Sequence, residues 1–176
     1  MKRIAIVGIT LALISGLVVW WFSPVQTLKR RTVSLLQTLT LKSGSANTSR
    51  QMGAYALNAL LADEVVLEST TLTEVNGTLD RSEMESSYSW LCGQAIQTRF
   101  DLDKFQSIAI RGDQAEVVFT LKALVELPSS RPVDGRFLVT YQWKNGDKGW
   151  QLTRASWADV EPADQHAGDV PLHSQR

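Results

Sequence analysis

The side chains that could carry acid–base chemistry are few in this chain. Asp101 and Asp103 are two residues apart, beside Phe100 and Phe105. A carboxyl group buried among apolar side chains has its pKa raised toward neutrality, and a nearby Tyr hydroxyl could then act as its partner in proton transfer. If this segment is a strand, both carboxylates point away from Phe100. Solvated residues at the start of a strand are therefore the simpler interpretation, and a catalytic pair is the alternative.

Three other polar side chains are candidates for lining a binding pocket. Tyr88 shares the apolar stripe of a predicted helix, and Tyr141 shares the inward face of a predicted strand. Arg154 follows Trp150 and Leu152 at alternate positions, so it is predicted to share their face and could hold an anionic ligand. The alternative is that the two tyrosines simply pack in the core or at its rim and that Arg154 is solvated.

Composition and spacing exclude several kinds of site. The 2 histidines, His166 and His173, both lie in a polar C-terminal stretch, so a His-based catalytic site inside the folded body is not expected. Cys92 is the only cysteine, so no internal disulfide can form. Lys plus Arg and Asp plus Glu both number 18, and this balance disfavours nucleic acid as a partner. We find no metal-ligand spacing and no phosphate-binding loop, and we expect no cofactor.

The N-terminal segment predicts a membrane anchor. Residues 4–22 contain no charge, and at 1.5 Å per residue a helix of this length spans roughly the 30 Å hydrocarbon core. Lys2 and Arg3 precede the segment, and Trp20 and Trp21 close it as an interfacial aromatic belt would. A cleaved signal peptide is the alternative, but the apolar run is long for one. We therefore expect residues 1–25 to be a single-pass anchor, with the domain outside the cytoplasm, in the periplasm.

Residues 26–157 predict one α+β domain that begins with helices. Leucines recur at helical spacing after Pro24, and Asp80 with Glu83 has the spacing of a capping box that opens a later helix. The three predicted apolar stripes are Leu28, Thr32, Leu35, Leu36 and Leu39; Met52, Ala56, Ala59 and Leu60; and Met84, Tyr88, Leu91 and Ala95.

Strand patterns precede the third helix and fill the region after it. Val65–Leu67 predicts one strand, and Asn76-Gly77 predicts a two-residue hairpin turn. After residue 99 the pattern is β throughout, with apolar residues alternating over 115–125 and 137–143, which indicates half-buried antiparallel strands. Residues 158–176 are polar and acidic, and we expect a disordered tail. A run of hairpin-linked strands must bury one face, so we expect a curved antiparallel sheet packed on the helices around a cone-shaped space.

The order of these elements resembles the nuclear transport factor 2-like superfamily, whose fold is also called cystatin-like and which includes SnoaL-like cyclases and steroid isomerases. The residues that carry the resemblance are Leu60–Leu67 at the helix-to-strand step, Asn76-Gly77 with Arg81–Met84, Gly112–Val117 and Gly149–Leu152. It covers residues 27 to 157. The resemblance implies a cone that is open to a ligand, a sheet face that often forms dimers, and, in the enzymes, a carboxylate or His inside the cone.

The inward register of the long strands departs from the enzymatic pattern because it contains no acidic residue. We therefore favour a membrane-tethered, non-catalytic binding or assembly module, which would hold a small apolar ligand in the cone or form a homodimer through the sheet face. The alternative is a lyase or isomerase with Asp101 or Asp103 as the base. A third hypothesis is an assembly factor whose own side chains fill the cone.

Overall fold

The computed structural model describes residues 21, 23–42, 47–128 and 130–160. Most of the predicted anchor, residues 4–20 and 22, lies outside this description, as do residues 161–176 of the predicted tail. In the described part of the chain, no helix is both long and apolar enough to cross a membrane.

Three α-helices form within the described residues: α1 over Pro24–Leu39, α2 over Asn47–Leu60 and α3 over Arg81–Gln94. The capping box of α3 is confirmed, because the Asp80 carboxylate accepts from the Glu83 amide at 2.8 Å and the Asp80 amide donates to Glu83 Oε2 at 2.9 Å. Hydrogen bonds from the Ser82 hydroxyl and then the Glu83 amide lower the pKa of Asp80. α1 also follows its prediction, with Leu28, Thr32, Leu35 and Leu36 buried.

The predicted stripe of α2 is wrong in part. Ala56 and Ala59 are exposed, and Leu57 is buried together with Leu60. The helix turns its larger apolar side chains inward because they remove more apolar surface from water than alanine does. Gly53 lies against the Tyr88 ring of α3, where an added Cβ would be 2.2 Å from the Tyr88 hydroxyl oxygen. The close contact between α2 and α3 therefore depends on this glycine.

Six strands form one sheet in the order β2-β1-β6-β5-β4-β3. The prediction of a wholly antiparallel sheet is wrong, since β1 pairs with β6 in parallel and the other neighbours are antiparallel. A parallel pair needs a long crossover, and all of the chain between β1 and β6 supplies one. The strands are β1 Leu61–Ser69, β2 Gly77–Asp80, β3 Gln97–Arg111, β4 Gln114–Glu126, β5 Val133–Gly146 and β6 Gly149–Asp159.

The Asn76-Gly77 pair does not form the predicted two-residue hairpin. A short 3₁₀ helix, Thr73–Val75, precedes it, and β2 returns to pair with β1, so the connection is a longer loop. The Asn76 side chain instead accepts from the Ser69 amide and donates to the Ser69 carbonyl. This side chain closes the loop that the backbone turn was expected to close. The tail prediction also starts too early, because β6 continues to Asp159.

Candidate functional site

The inner face of the sheet carries a continuous row of aromatic rings. Phe105 and Phe119 have ring centroids 6.1 Å apart, Phe119 and Tyr141 are 5.0 Å apart edge to face, and Tyr141 and Trp143 are 6.1 Å apart. Tilted and edge-to-face pairs at these distances are favourable beyond the area that they bury. The alternation predicted for β4 and β5 is confirmed here, and it positions an aromatic layer beneath the helices.

Side chains fill the space where the resemblance implies a pocket. Leu28 and Thr32 of α1, like Val117 and Phe119 of the sheet, are 0% exposed, so no water-sized space touches them. The Thr32 hydroxyl and the Trp143 indole nitrogen are sealed in this interior without a hydrogen-bond partner. The hypothesis of a cone filled by its own side chains fits this packing, and the expected open hollow does not.

Tyr141 is buried within this layer, at 6% exposure. Its burial disfavours the charged phenolate and raises the pKa of the hydroxyl well above the usual range. A phenol in such a setting keeps its proton at physiological pH. Its ring packs edge-on against its two aromatic neighbours, so the structure places Tyr141 in the core and not on a pocket wall.

Tyr88 lies apart from Tyr141, between the helices. Its hydroxyl donates to the Thr38 carbonyl near the end of α1 at 2.9 Å, and its ring lies under Gly53 of α2. One side chain of α3 thus contacts both other helices. This arrangement gives Tyr88 a structural role in helix packing, and the structure does not bring it together with Arg154.

Arg154 does not share the face of Trp150 and Leu152, and that part of the prediction is wrong. Trp143 pairs with Leu152 but Gln142 pairs with Arg154, so Thr153 is an extra residue that forms a β-bulge. The bulge reverses the alternation, and Ala155 takes the inner position beside Tyr141. Arg154 lies on the outer face, where its guanidinium pairs with Glu68 at 2.6 Å.

Asp101 and Asp103 are both on the outer face as well. Asp101 pairs across the strands with Lys122 and forms an ion pair with Arg99 at 2.9 Å. Asp103 stands at a second bulge and forms an ion pair with Arg136. Neither carboxylate lies near a tyrosine of the inner face, and no carboxylate is buried in the part of the chain that the structure describes. The arrangement that the catalytic alternative requires is therefore not formed by these residues.

The outer face has an uncharged centre, which we call the outer patch. Two neighbouring rows cross strands β4, β5 and β6, and cross-strand register places their members side by side. Leu138 is 41% exposed in this patch, although it is a large apolar side chain. Two ion pairs lie at its borders, Asp103 with Arg136 and Glu68 with Arg154. The patch consists of Val118, Thr120, Leu138, Thr140, Ser156 and Ala158.

Arg31 was not among the candidate residues of the sequence analysis. Its guanidinium donates to the Trp150 carbonyl at 2.6 Å and to the Lys148 carbonyl at 3.3 Å, and no carboxylate pairs with it among the described residues. Desolvation lowers the pKa of Arg31. Gly149, at φ +78, permits this approach, since an added Cβ would lie 2.9 Å from Arg31 Nη2. No local pattern indicates these contacts, because they join residues 119 and 117 positions apart in the chain.

The described residues contain no group of three or more His, Cys, Asp or Glu side chains that could hold a metal ion. Shallow grooves occur instead at the surface. One of about 460 Å³ lies between α1 and β3, and others of about 450 and 400 Å³ lie along the outer face of the sheet. These grooves are open at the surface of the described residues.

Solved structures with the same architecture are numerous. A nuclear transport factor 2-like protein from Cytophaga hutchinsonii superposes with a TM-score of 0.60 at 16% identity, over 79% of this chain and 100% of that chain. A nuclear transport factor 2-like superfamily protein from Salmonella enterica gives 0.60 at 11% identity, over 82% and 96%. An uncharacterized protein with a cystatin-like fold from Caulobacter vibrioides gives 0.59 at 10% identity, over 77% and 88%.

No family model matches the chain, and no curated protein matches it. Identities this low establish architecture and do not transfer a ligand or a reaction. The helices, the curved mixed sheet and the superpositions together show that residues 24–159 adopt the nuclear transport factor 2-like, cystatin-like fold.

Proposed function

We propose that this chain is a non-catalytic assembly module, held at a membrane by residues 4–22, whose outer patch pairs with a second copy of the chain. The observation that carries the proposal is the outer patch itself, an uncharged and partly exposed surface on a sheet whose other face is fully packed. The domain would lie on the extracytoplasmic, periplasmic side.

The chemistry of the outer patch suits self-association. The centres of protein interfaces are depleted of charged residues, and an isologous pair requires one surface to complement itself. A neutral surface meets this condition without opposing like charges. In the two ion pairs at its borders, each charge already has a partner when two copies meet.

The other functions considered from the sequence have less support. A small apolar ligand would need space in a cone whose lining residues are already in contact with one another. A lyase or isomerase would need a carboxylate inside the cone, and Asp101 and Asp103 stand on the opposite face. Pairing through the sheet requires neither empty space in the cone nor a carboxylate inside it.

Sedimentation of the full chain in detergent micelles tests the pairing. We expect a dimer for the native chain and a monomer for Thr140→Arg, because the new charge would be buried at the centre of the interface without a partner. Ser86→Arg, on the exposed surface of α3, is the matched control and should remain dimeric. A native chain that stays monomeric as its concentration rises contradicts self-pairing.

Membrane fractionation tests the tether separately. The full chain should remain with membranes after alkaline extraction, whereas a chain that starts at Ser23 should be released. Recovery of the full chain in the soluble fraction would contradict the anchor and leave the pairing experiment unaffected.

A further inference from the structure

The first half of α1 contacts one particular end of the sheet through Arg31. Arg31 donates to the carbonyls of Lys148 and Trp150 in the β5–β6 turn. The Asn145 amide of that turn donates to the Asp113 carbonyl at 2.7 Å, which joins it to the β3–β4 turn. The far end of α1 lies instead near the beginning of β3, where the Phe100 amide donates to Thr40 Oγ1. We call the end with the two joined turns the turn end.

The predicted membrane segment leads directly to this turn end. The Arg30 guanidinium donates to the Trp21 carbonyl at 3.0 Å and stands 4.9 Å from the centre of the Trp21 ring, so Trp21 is fixed against α1. Ser23 caps α1 through a bond from the Gln26 amide. Arg31 lies about 12 Å further along the axis of α1 than Ser23 does. If residues 4–22 cross a bilayer, the part of α1 that contacts the turn end therefore begins within about 12 Å of helix from the membrane segment.

A groove of about 450 Å³ opens on the outer face at the turn end. Arg111, Gln114 and Lys144 stand side by side across β3, β4 and β5, so the two cations are two strand spacings apart, about 10 Å. The next row contributes Glu116 and Gln142. Neither cation has an ion-pair partner among the described residues, and the same holds for Glu116.

The charges and amides of this groove suit a phosphodiester with a polar substituent. Two cations against one carboxylate leave the lining with a surplus positive charge. Arg111 and Lys144 can share the phosphate oxygens from either side, and the Gln114 amide can donate between them. Glu116 and Gln142 can bond a hydroxyl or ammonium group on the next row. A phospholipid headgroup presents both kinds of group at the place where this end of the domain would lie.

We propose that the turn-end groove binds the headgroup of an anionic phospholipid in the same bilayer that holds the N-terminal segment. This inference rests on the membrane tether of the proposed function and is independent of the pairing through the outer patch. Binding here would fix the tilt of the domain, so that the outer patch projects along the membrane plane toward a second copy.

Hydrogen exchange of the full chain in nanodiscs tests the site. Nanodiscs of phosphatidylcholine alone are compared with nanodiscs of phosphatidylcholine and phosphatidylglycerol in equal parts. We expect slower exchange at the amides of the β3–β4 and β5–β6 turns in the anionic nanodiscs only. The effect should weaken as salt is raised, because screening reduces attraction between exposed charges.

Two double variants locate the binding groups. R111A with K144A should lose the lipid-dependent protection. K104A with K122A removes the same charge from the same face of β3 and β4 but outside the groove, and should retain the protection. Soluble glycerol phosphate added to phosphatidylcholine nanodiscs distinguishes a lipid headgroup from a free phosphate.

Each result decides the proposal. Protection that is equal in both lipids, or that survives R111A with K144A, overturns the site while leaving the tether intact. Protection by glycerol phosphate alone overturns the lipid as the source of the phosphate. A full chain that does not incorporate into either nanodisc refutes the tether, and the headgroup assignment fails with it.

Discussion

The two faces of the sheet differ in the kind of contact that their side chains make. On the inner face, Phe119, Tyr141 and Trp143 contact one another and the helices, and no ionised side chain among the described residues is buried with them. On the outer face, charged side chains form ion pairs around an uncharged centre, and Leu138 remains exposed. The comparison indicates that the inner face determines the fold, whereas the proposed pairing surface and the proposed headgroup site both lie on the outer face.

Truncation of the inner aromatic layer should give the largest effect. Phe119→Ala removes a ring that is 0% exposed and has ring contacts on both sides, so we expect the free energy of unfolding to fall by about 3–5 kcal/mol. Its neighbour on the outer face, Val118→Ala, should cost less than about 1 kcal/mol in the monomer. Chemical denaturation of both variants makes the comparison, and equal losses would contradict the division between the faces.

The second prediction concerns alkaline pH. Burial raises the pKa of Tyr141 above its ordinary value of 10.0, so above pH 10 the unfolded chain releases a proton that the folded chain keeps. The unfolded state then binds fewer protons, and the free energy of unfolding should fall by up to about 1.4 kcal/mol per pH unit.

Denaturation of the native chain and of Tyr141→Phe at pH 9 and above tests this slope. The variant should lose much of the alkaline dependence, whereas Tyr55→Phe, at a residue that is 84% exposed, should keep it. Identical slopes for all three chains would show that the Tyr141 hydroxyl is not sealed from water.

The smallest effect is expected at the outer ion pair of Arg154 and Glu68. Both side chains are about half exposed, at 40% and 48%, and such pairs contribute about 0–1 kcal/mol. A double-mutant cycle with Arg154→Ala and Glu68→Ala should give a coupling energy in that range that falls as salt is added. A coupling of several kcal/mol would mean that this border of the outer patch is less hydrated than its exposure indicates.

The local rules of helix and strand recovered most of the elements from the sequence. The capping box of Asp80 and Glu83 was visible because both halves of it lie within four residues. The aromatic layer was visible because apolar residues recur at every second position along β4 and through Trp143 on β5. These patterns involve only residues that are close in the sequence, so they can be interpreted correctly without knowledge of the tertiary structure.

The parts that the sequence did not predict depend on distant partners. The parallel pairing of β1 with β6 joins segments about ninety residues apart, as in Leu61 with Leu152, and no local pattern encodes it. Asn76 satisfies the Ser69 backbone with its side chain, which an Asn-Gly turn signal does not reveal. The bulge at Thr153 places Arg154 on the outer face and not at the predicted site. An alternating sequence pattern does not reveal where a strand contains an extra residue.

That bulge also makes the length of β6 as important as its composition. Loss of Thr153 alone would remove only the extra residue, and Arg154 would stay opposite Gln142 while Ala155 stayed opposite Tyr141. Loss of Ala155 would instead place Arg154 opposite Tyr141, with a guanidinium on the inner face. The effect of a one-residue deletion in β6 thus depends on whether it removes the bulge residue or a paired one.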